Sequence, residues 1–164
     1  IGKESGQVRL FVYLASYVIM NLGAFAAVIA VSNKIKSDEI KDYAGLSQNS
    51  PYLAAMLTVF LLSLAGIPPL VGFIGKFYIF SAAIKEGFIF LAIAAVINSV
   101  IAAYYYFIII KTMYLDKPQK QIEIRPSLAL NLALILLLIF TIACGLYPQP
   151  LINLSSCALS INLP

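Results

Sequence analysis

Long apolar runs separated by short polar stretches set the architecture of this chain. Val8–Val31 is apolar apart from Arg9 at its edge and Ser16, Tyr17 and Asn21 inside it. At ~1.5 Å of rise per residue such a run crosses a hydrocarbon core of ~30 Å as one helix. Asn21 and Gly23 give it a small, polar face suited to interhelical packing or an interhelical hydrogen bond. Tyr52–Ala83 is too long for one straight span and is interrupted by Gly66, Pro68, Pro69 and Gly72. Two successive prolines remove two backbone donors and clash with the preceding turn. The pattern therefore predicts two half-helices, about Tyr52–Ala65 and Gly72–Ala83, joined by an irregular piece. Phe88–Leu115 is a further span, with Asn98 and Ser99 inside, and its Tyr104, Tyr105 and Tyr106 are expected as an interfacial belt, with packing inside a bundle as the alternative. Ser127–Tyr147 is almost purely Leu, Ile and Ala, and is expected to face lipid or lie at the periphery.

The polar stretches add less. In Ser32–Pro51, Ser37 followed by Asp38 and Glu39, then Ile40, Tyr43, Ala44 and Leu46, predicts a short interfacial helix. Ser37 is its candidate cap, and Gly45 or Asn49 its end. Leu151–Pro164 is an uncharged tail whose Asn, Ser and Pro content suits an interfacial end better than another span. The expected architecture is thus an all-α integral membrane region with four spans, 8–31, 52–83 broken near 66–71, 88–115 and 127–147, and no soluble domain. Lys34, Lys36, Lys41, Lys111, Lys117, Lys120 and Arg125 fall on one side of it, against Lys3, Arg9 and Lys85 on the other. That bias puts the two longer loops inside, in the cytoplasm or an organelle matrix.

Composition agrees and narrows the chemistry. Of 164 residues 62% are hydrophobic and 11% charged, whereas a soluble domain has about a quarter charged. The net charge of +4 lies mainly in loops that set orientation, so it is not a nucleic-acid footprint. There is no histidine, and Cys144 and Cys157 stand apart from each other and from any ligand-like neighbour. No metal, iron–sulfur or haem site is expected, and no Ser-His-Asp set can be assembled. All seven acidic residues lie in loops or at chain ends, which leaves no paired acids within the spans.

Lys76 is the one basic residue that no loop explains. The next boundary, near Lys85, lies nine positions on. That is ~13 Å of helix, about twice the reach of a lysine stem, so snorkelling is disfavoured. A lysine at the centre of a span costs at least ~2.5 kcal/mol on insertion scales, and is retained with a polar cavity or partner. Desolvation and nearby charge compete over its proton, which is what a relay group needs. The break beside it supplies free carbonyls, room for water and a joint, a combination found in transporters. Lys76 is thus the candidate proton-transfer residue, Gly66, Pro68, Pro69 and Gly72 the candidate joint, and Ser63, Tyr78 and Asn98 candidate linings of a water path. Within the spans of this chain Lys76 has no acidic partner.

Three stretches, YVIMNLGAF at Tyr17–Phe25, DEIKDYAGL at Asp38–Leu46 and SLAGIPPLVGFIGKFYIF at Ser63–Phe80, carry a resemblance. Over nearly its whole length the chain resembles the antiporter-like membrane subunits of respiratory complex I, NADH:quinone oxidoreductase, which are related to subunits of multisubunit Na+/H+ antiporters. GFIGKF at Gly72–Phe77 is most similar to the N-type subunit: the L-type usually has Asp where Phe77 stands, and the M-type has Glu in place of Lys76. The resemblance implies a fourteen-helix subunit, of which these residues would form the last four helices, with Lys76 on the broken twelfth. It implies FMN, iron–sulfur clusters and quinone on other subunits and no cofactor on this chain. The implied partners are other complex I membrane subunits, the lipid bilayer, and an N-terminal part of the same subunit or a second polypeptide supplying it. The implied setting is a bacterial cytoplasmic or organelle energy-transducing membrane. Two alternatives remain at this point: a subunit of a Na+/H+ antiporter, and a structural membrane scaffold.

Overall fold

The computed structural model describes residues 2–118 and 124–160, with side chains from Gly6 to Pro118 and from Ile124 to Ala158. The side chain of Lys3, Lys120, and tail residues 161–164 lie outside the described residues. The order of elements is α1 (Gly2–Ile35), a 3-10 turn (Ile40–Tyr43), α2 (Leu46–Asn49), α3 (Pro51–Ala65), α4 (Val71–Lys85), α5 (Ile89–Leu115), α6 (Leu128–Leu146) and α7 (Gln149–Ser160). Among the described residues there is no strand.

Among the described residues three helices are long and apolar enough to cross a membrane: Gly6–Ile35 within α1, all of α5 and all of α6. α3 and α4 have 15 residues each. At ~1.5 Å per residue each is ~22 Å long, short of a ~30 Å core, so only the pair can cross it. Pro51 starts α3 at a position where its missing N–H costs nothing. Ser127 caps α6, its hydroxyl accepting from the Leu130 N–H at 3.4 Å.

α1 is the hub, touching α3, α4, α6 and α7. Its inner face, Met20, Ala24, Ala27 and Val31, packs with Leu53, Leu57 and Phe60 of α3 in the main core. Gly23 lies against the Phe60 ring, where any Cβ would collide. That is the small-residue contact expected of this stretch. Asn21 takes no part in it: its amide donates to the Tyr17 carbonyl of its own helix at 2.8 Å.

The packing adds three details to the sequence reading. α6 is two-sided: it packs on α1, α3 and α4 through buried Leu134, Thr141, Cys144 and Gly145, and leaves Leu132, Leu136, Ile139 and Phe140 exposed on its other face, as expected of a lipid-facing helix. Hydropathy cannot tell a lipid neighbour from a protein one; the small residues were the informative signal. The outermost span is α5, which leaves Phe90, Ile97, Ile101 and Tyr104 exposed. The tail forms α7, whose Leu151 is buried with Val12, Val71 and Cys144. Pro150 sits in its first turn, where proline is tolerated.

The two basic loops meet at one end of the bundle. Ser50 Oγ accepts from the Ile124 N–H at 2.8 Å, and the Gly45 N–H donates to the Thr112 carbonyl at 3.4 Å. In place of one interfacial helix there are two short turns, because Gly45 adopts a left-handed conformation, φ 69°, between them. Ser37 does not cap a helix; it donates to Asp42 Oδ2 at 2.5 Å and accepts from the Glu39 N–H at 3.3 Å.

Candidate functional site

The site is the junction between α3 and α4, and its geometry follows from how a helix must end. The last four carbonyls of a helix have no partner within it. In α3 these belong to Leu62, Ser63, Leu64 and Ala65. Gly66 turns left-handed, φ 87°, as glycine does at a helix end. Its N–H donates to the Ser63 carbonyl at 3.0 Å, and the Ile67 N–H donates to the Leu62 carbonyl at 3.1 Å. This closes the first two carbonyls in a Schellman arrangement. The other two are taken by Lys76, whose Nζ donates to the Leu64 carbonyl at 2.9 Å and the Ala65 carbonyl at 3.3 Å.

The ammonium thus sits at the negative end of the α3 dipole, where a cation is stabilised. Hydrogen bonds to a charged group contribute ~1.5–3 kcal/mol each, which offsets an insertion cost of ~2.5–3.5 kcal/mol. This explains how a lysine is held in an apolar region while, among the described residues, no acid pairs with it. A Cβ at position 66 would also stand 3.1 Å from Lys76 Cδ, so the lysine stem would have to shift slightly to admit it.

The other half of the break is the start of α4. Leu70, at its N-cap, has no side-chain oxygen to offer. Ser63 supplies one from across the break: its hydroxyl, fully buried, accepts from the Gly72 N–H at 3.1 Å and donates to Met20 Sδ at 3.7 Å. Gly72 lies so close to α3 that a Cβ would run into the Ser63 carbonyl. Pro68 and Pro69, joined by a cis peptide bond, fill the irregular piece, and the Pro69 carbonyl rests against Gly145 of α6.

The break lies deep. Met20, in contact with Ser63, is midway along the apolar run Gly6–Ile35, and Gly75 rests on Ser16 and Tyr13 of the same helix. Side chains on a helix tilt toward its N-terminus. Lys76 therefore reaches back toward the break, away from the Lys85 end of α4, which is the opposite of snorkelling.

Two half-open clefts flank the lysine. One, of about 480 Å³, lies among α1, α4 and α5 and is lined by Lys76, Asn98, Ser99, Tyr13, Tyr17 and Tyr106 as well as apolar side chains. The other, of about 410 Å³, is nearly all apolar and includes Gly66, Lys76, Ser81 and Ser99. Of the sequence candidates for a water path, Asn98 faces the lysine's cleft, while Ser63 and Tyr78 line neither of the two. Tyr13 and Tyr106 line the cleft too, although neither is among the sequence candidates for a water path. Tyr106, expected in an interfacial belt, turns inward, whereas Tyr104 and Tyr105 are exposed. The helical spacing of Ala92, Ala95, Ser99, Ala102 and Tyr106 marks this face of α5 in the sequence.

Residues 2–102, more than half of the chain, match the family model described as "NADH:quinone oxidoreductase/Mrp antiporter, TM". NADH-quinone oxidoreductase subunit N of Desulfitobacterium hafniense is 47% identical over 148 residues, covering 90% of this chain and 30% of that one. Subunit N of Paramagnetospirillum magneticum is 38% identical over 164 residues, covering 99% of this chain and 34% of that one. The chain spans about a third of the length of these curated relatives, and it matches their C-terminal part. Among solved structures, respiratory complex I from Thermus thermophilus with bound aureothin aligns with a TM-score of 0.75 at 26% identity, over 87% of this chain and 34% of that one. The Mrp complex from Dietzia sp. aligns with a TM-score of 0.83 at 24% identity, over 94% of this chain and 37% of that one, a likeness of fold. This multi-pass, all-helical chain belongs to the NADH:quinone oxidoreductase/Mrp antiporter membrane family, and the two sequence relatives named above are N-type subunits.

Proposed function

We propose that this chain is the C-terminal part of an N-type membrane subunit of a proton-translocating NADH:quinone oxidoreductase in a bacterial cytoplasmic membrane, and that Lys76 is a proton-transfer group in it. The observation that carries the second half is the position of Nζ: it is held by two carbonyls of a broken helix at mid-depth, beside a cleft containing Asn98 and Ser99. A cleft of about 480 Å³ has room for several waters at ~30 Å³ each.

The charged lysine donates to Leu64 and Ala65. The neutral amine has a lone pair and accepts a proton from water in the cleft. Which form prevails depends on the local field and hydration, so a change in either, arising where NADH is oxidised and quinone reduced, loads or unloads the group. Redox chemistry belongs to other subunits with their FMN and iron–sulfur clusters; this chain contributes proton movement and the joint at Gly66, Pro68, Pro69 and Gly72. Its partners are the neighbouring membrane subunits and the remainder of the subunit's own length, on this chain or on a second polypeptide. The described helices, with the broken pair α3–α4 acting as one span, form a single membrane region with no soluble domain.

Lys76→Met in the assembled complex should lower the rate of NADH-driven proton translocation several-fold while the complex still assembles. Unchanged translocation would sink the proton-transfer role. The fold likeness to the Mrp complex supports a second reading, a Na+/H+ antiporter subunit. In that case translocation would depend on a sodium gradient and not on NADH.

A further inference from the structure

Ser63 does not bond as the buried hydroxyls of Ser16, Thr141 and Ser155 do. Ser16, Thr141 and Ser155 donate to the carbonyl four residues back in their own helices, to Val12, Leu137 and Leu151. That is the usual way a helix hides a hydroxyl. Ser63 instead reaches over the break, accepting from the Gly72 N–H and donating to Met20 Sδ. Among the described residues it is the one side-chain oxygen on the first turn of α4, whose own N-cap residue is Leu70. Lys76 sits four residues after Gly72, one turn further along the same helix. Its ammonium closes the other side of the same junction, on Leu64 and Ala65, the two residues that follow Ser63.

We infer that Ser63 is a positioning residue for Lys76: its hydroxyl pins the first turn of α4 to the last turn of α3, and so sets where the lysine meets the α3 carbonyls. The two caps interlock. The α3 residue caps α4, and the α4 residue caps α3. Without the Ser63 oxygen the Gly72 N–H is buried and unpaired, and α4 is free to slide or tilt until it finds a partner. Lys76, carried on that turn, then leaves the position in which two carbonyls share its ammonium.

The inference rests on the reading of Lys76 as a proton carrier, so the test is a double-mutant cycle in the full-length subunit within the assembled complex. Ser63→Ala, Lys76→Met and the double variant are compared for proton translocation per assembled complex and for the amount of complex formed. Ser63→Ala is expected to lower translocation at least two-fold per complex, with no further loss when added to Lys76→Met. A loss that adds to that of Lys76→Met, or a fall in the amount of complex with translocation per complex unchanged, would overturn the positioning role. Should Ser63→Ala fail to assemble, Ser63→Cys, of similar volume and a weaker acceptor, takes its place in the cycle under the same outcomes. Impaired Lys76→Met beside unimpaired Ser63→Ala defeats this inference alone. An unimpaired Lys76→Met defeats the proton-carrier reading itself.

Discussion

Lys76 and Tyr43 are both polar groups held among apolar ones, and each is settled by its neighbours. The lysine is held by carbonyls that a continuous helix would have kept for itself. Tyr43 lies in the loop between α1 and α2, packed with Leu46, Met113 and Ile124. Its burial there, helped by the Asp38 carboxylate, pushes its phenol up to about 12 from the usual 10.0. The folded loop therefore prefers the protonated phenol. That preference is fully present below pH 10 and is lost as pH rises through about 12. The melting temperature of the detergent-solubilised protein should fall more steeply between pH 10 and 12 than that of Tyr43→Phe. Parallel curves for the two would show that the loop does not sense this group. The Lys41–Glu39 pair nearby is solvent-exposed and calls for no such test, since surface pairs contribute little.

At the scale of elements, the break between α3 and α4 is built from contacts of different stiffness. Gly66→Ala forces a side chain into a left-handed backbone, at about 1–2 kcal/mol, and presses on Lys76 Cδ, the middle of a flexible stem that can move aside. Gly72→Ala meets the Ser63 carbonyl, which is backbone in the last turn of α3 and cannot give way without parting the two helices. Gly72→Ala should therefore be the more damaging by at least about 1 kcal/mol, read as a larger drop in melting temperature and in the amount of assembled complex. An equal or smaller effect would mean that the two half-helices are not locked as described. The position of the break was legible because two prolines between two glycines leave a helix no alternative. How each half is capped was not, because the caps come from residues nine to twelve positions away across the gap.

For the whole molecule, α1 is wrapped on several sides and α5 stands outermost. Ile101, near the middle of α5, is 51% exposed, and Leu115, at its end, is 73% exposed. Lysine at position 101 faces the apolar surroundings at mid-depth and should cost ~2.5–3.5 kcal/mol; at position 115 it should cost almost nothing. The membrane-integrated fraction of Ile101→Lys and Leu115→Lys measures the difference. Equal insertion of the two would place α5 somewhere other than at the outside of the bundle.

By itself the sequence determined the class of protein, the four apolar runs, the side on which the basic loops gather, the interruption at Gly66–Gly72 and the isolation of Lys76 from any loop. These depend on transfer of residues from water to lipid and on local backbone rules, both of which act residue by residue. Only the tertiary structure decided that α6 packs one face on α1, α3 and α4 while α5 stands outermost, that Tyr106 turns toward the lysine's cleft and Tyr78 does not line it, and that Ser63 is spent as a cap. An apolar side chain satisfies lipid and protein neighbours almost equally, and a hydroxyl can bond its own helix or another with little difference in local cost. Such choices are made by which helices meet, and at what depth, and single-residue preferences do not contain that information.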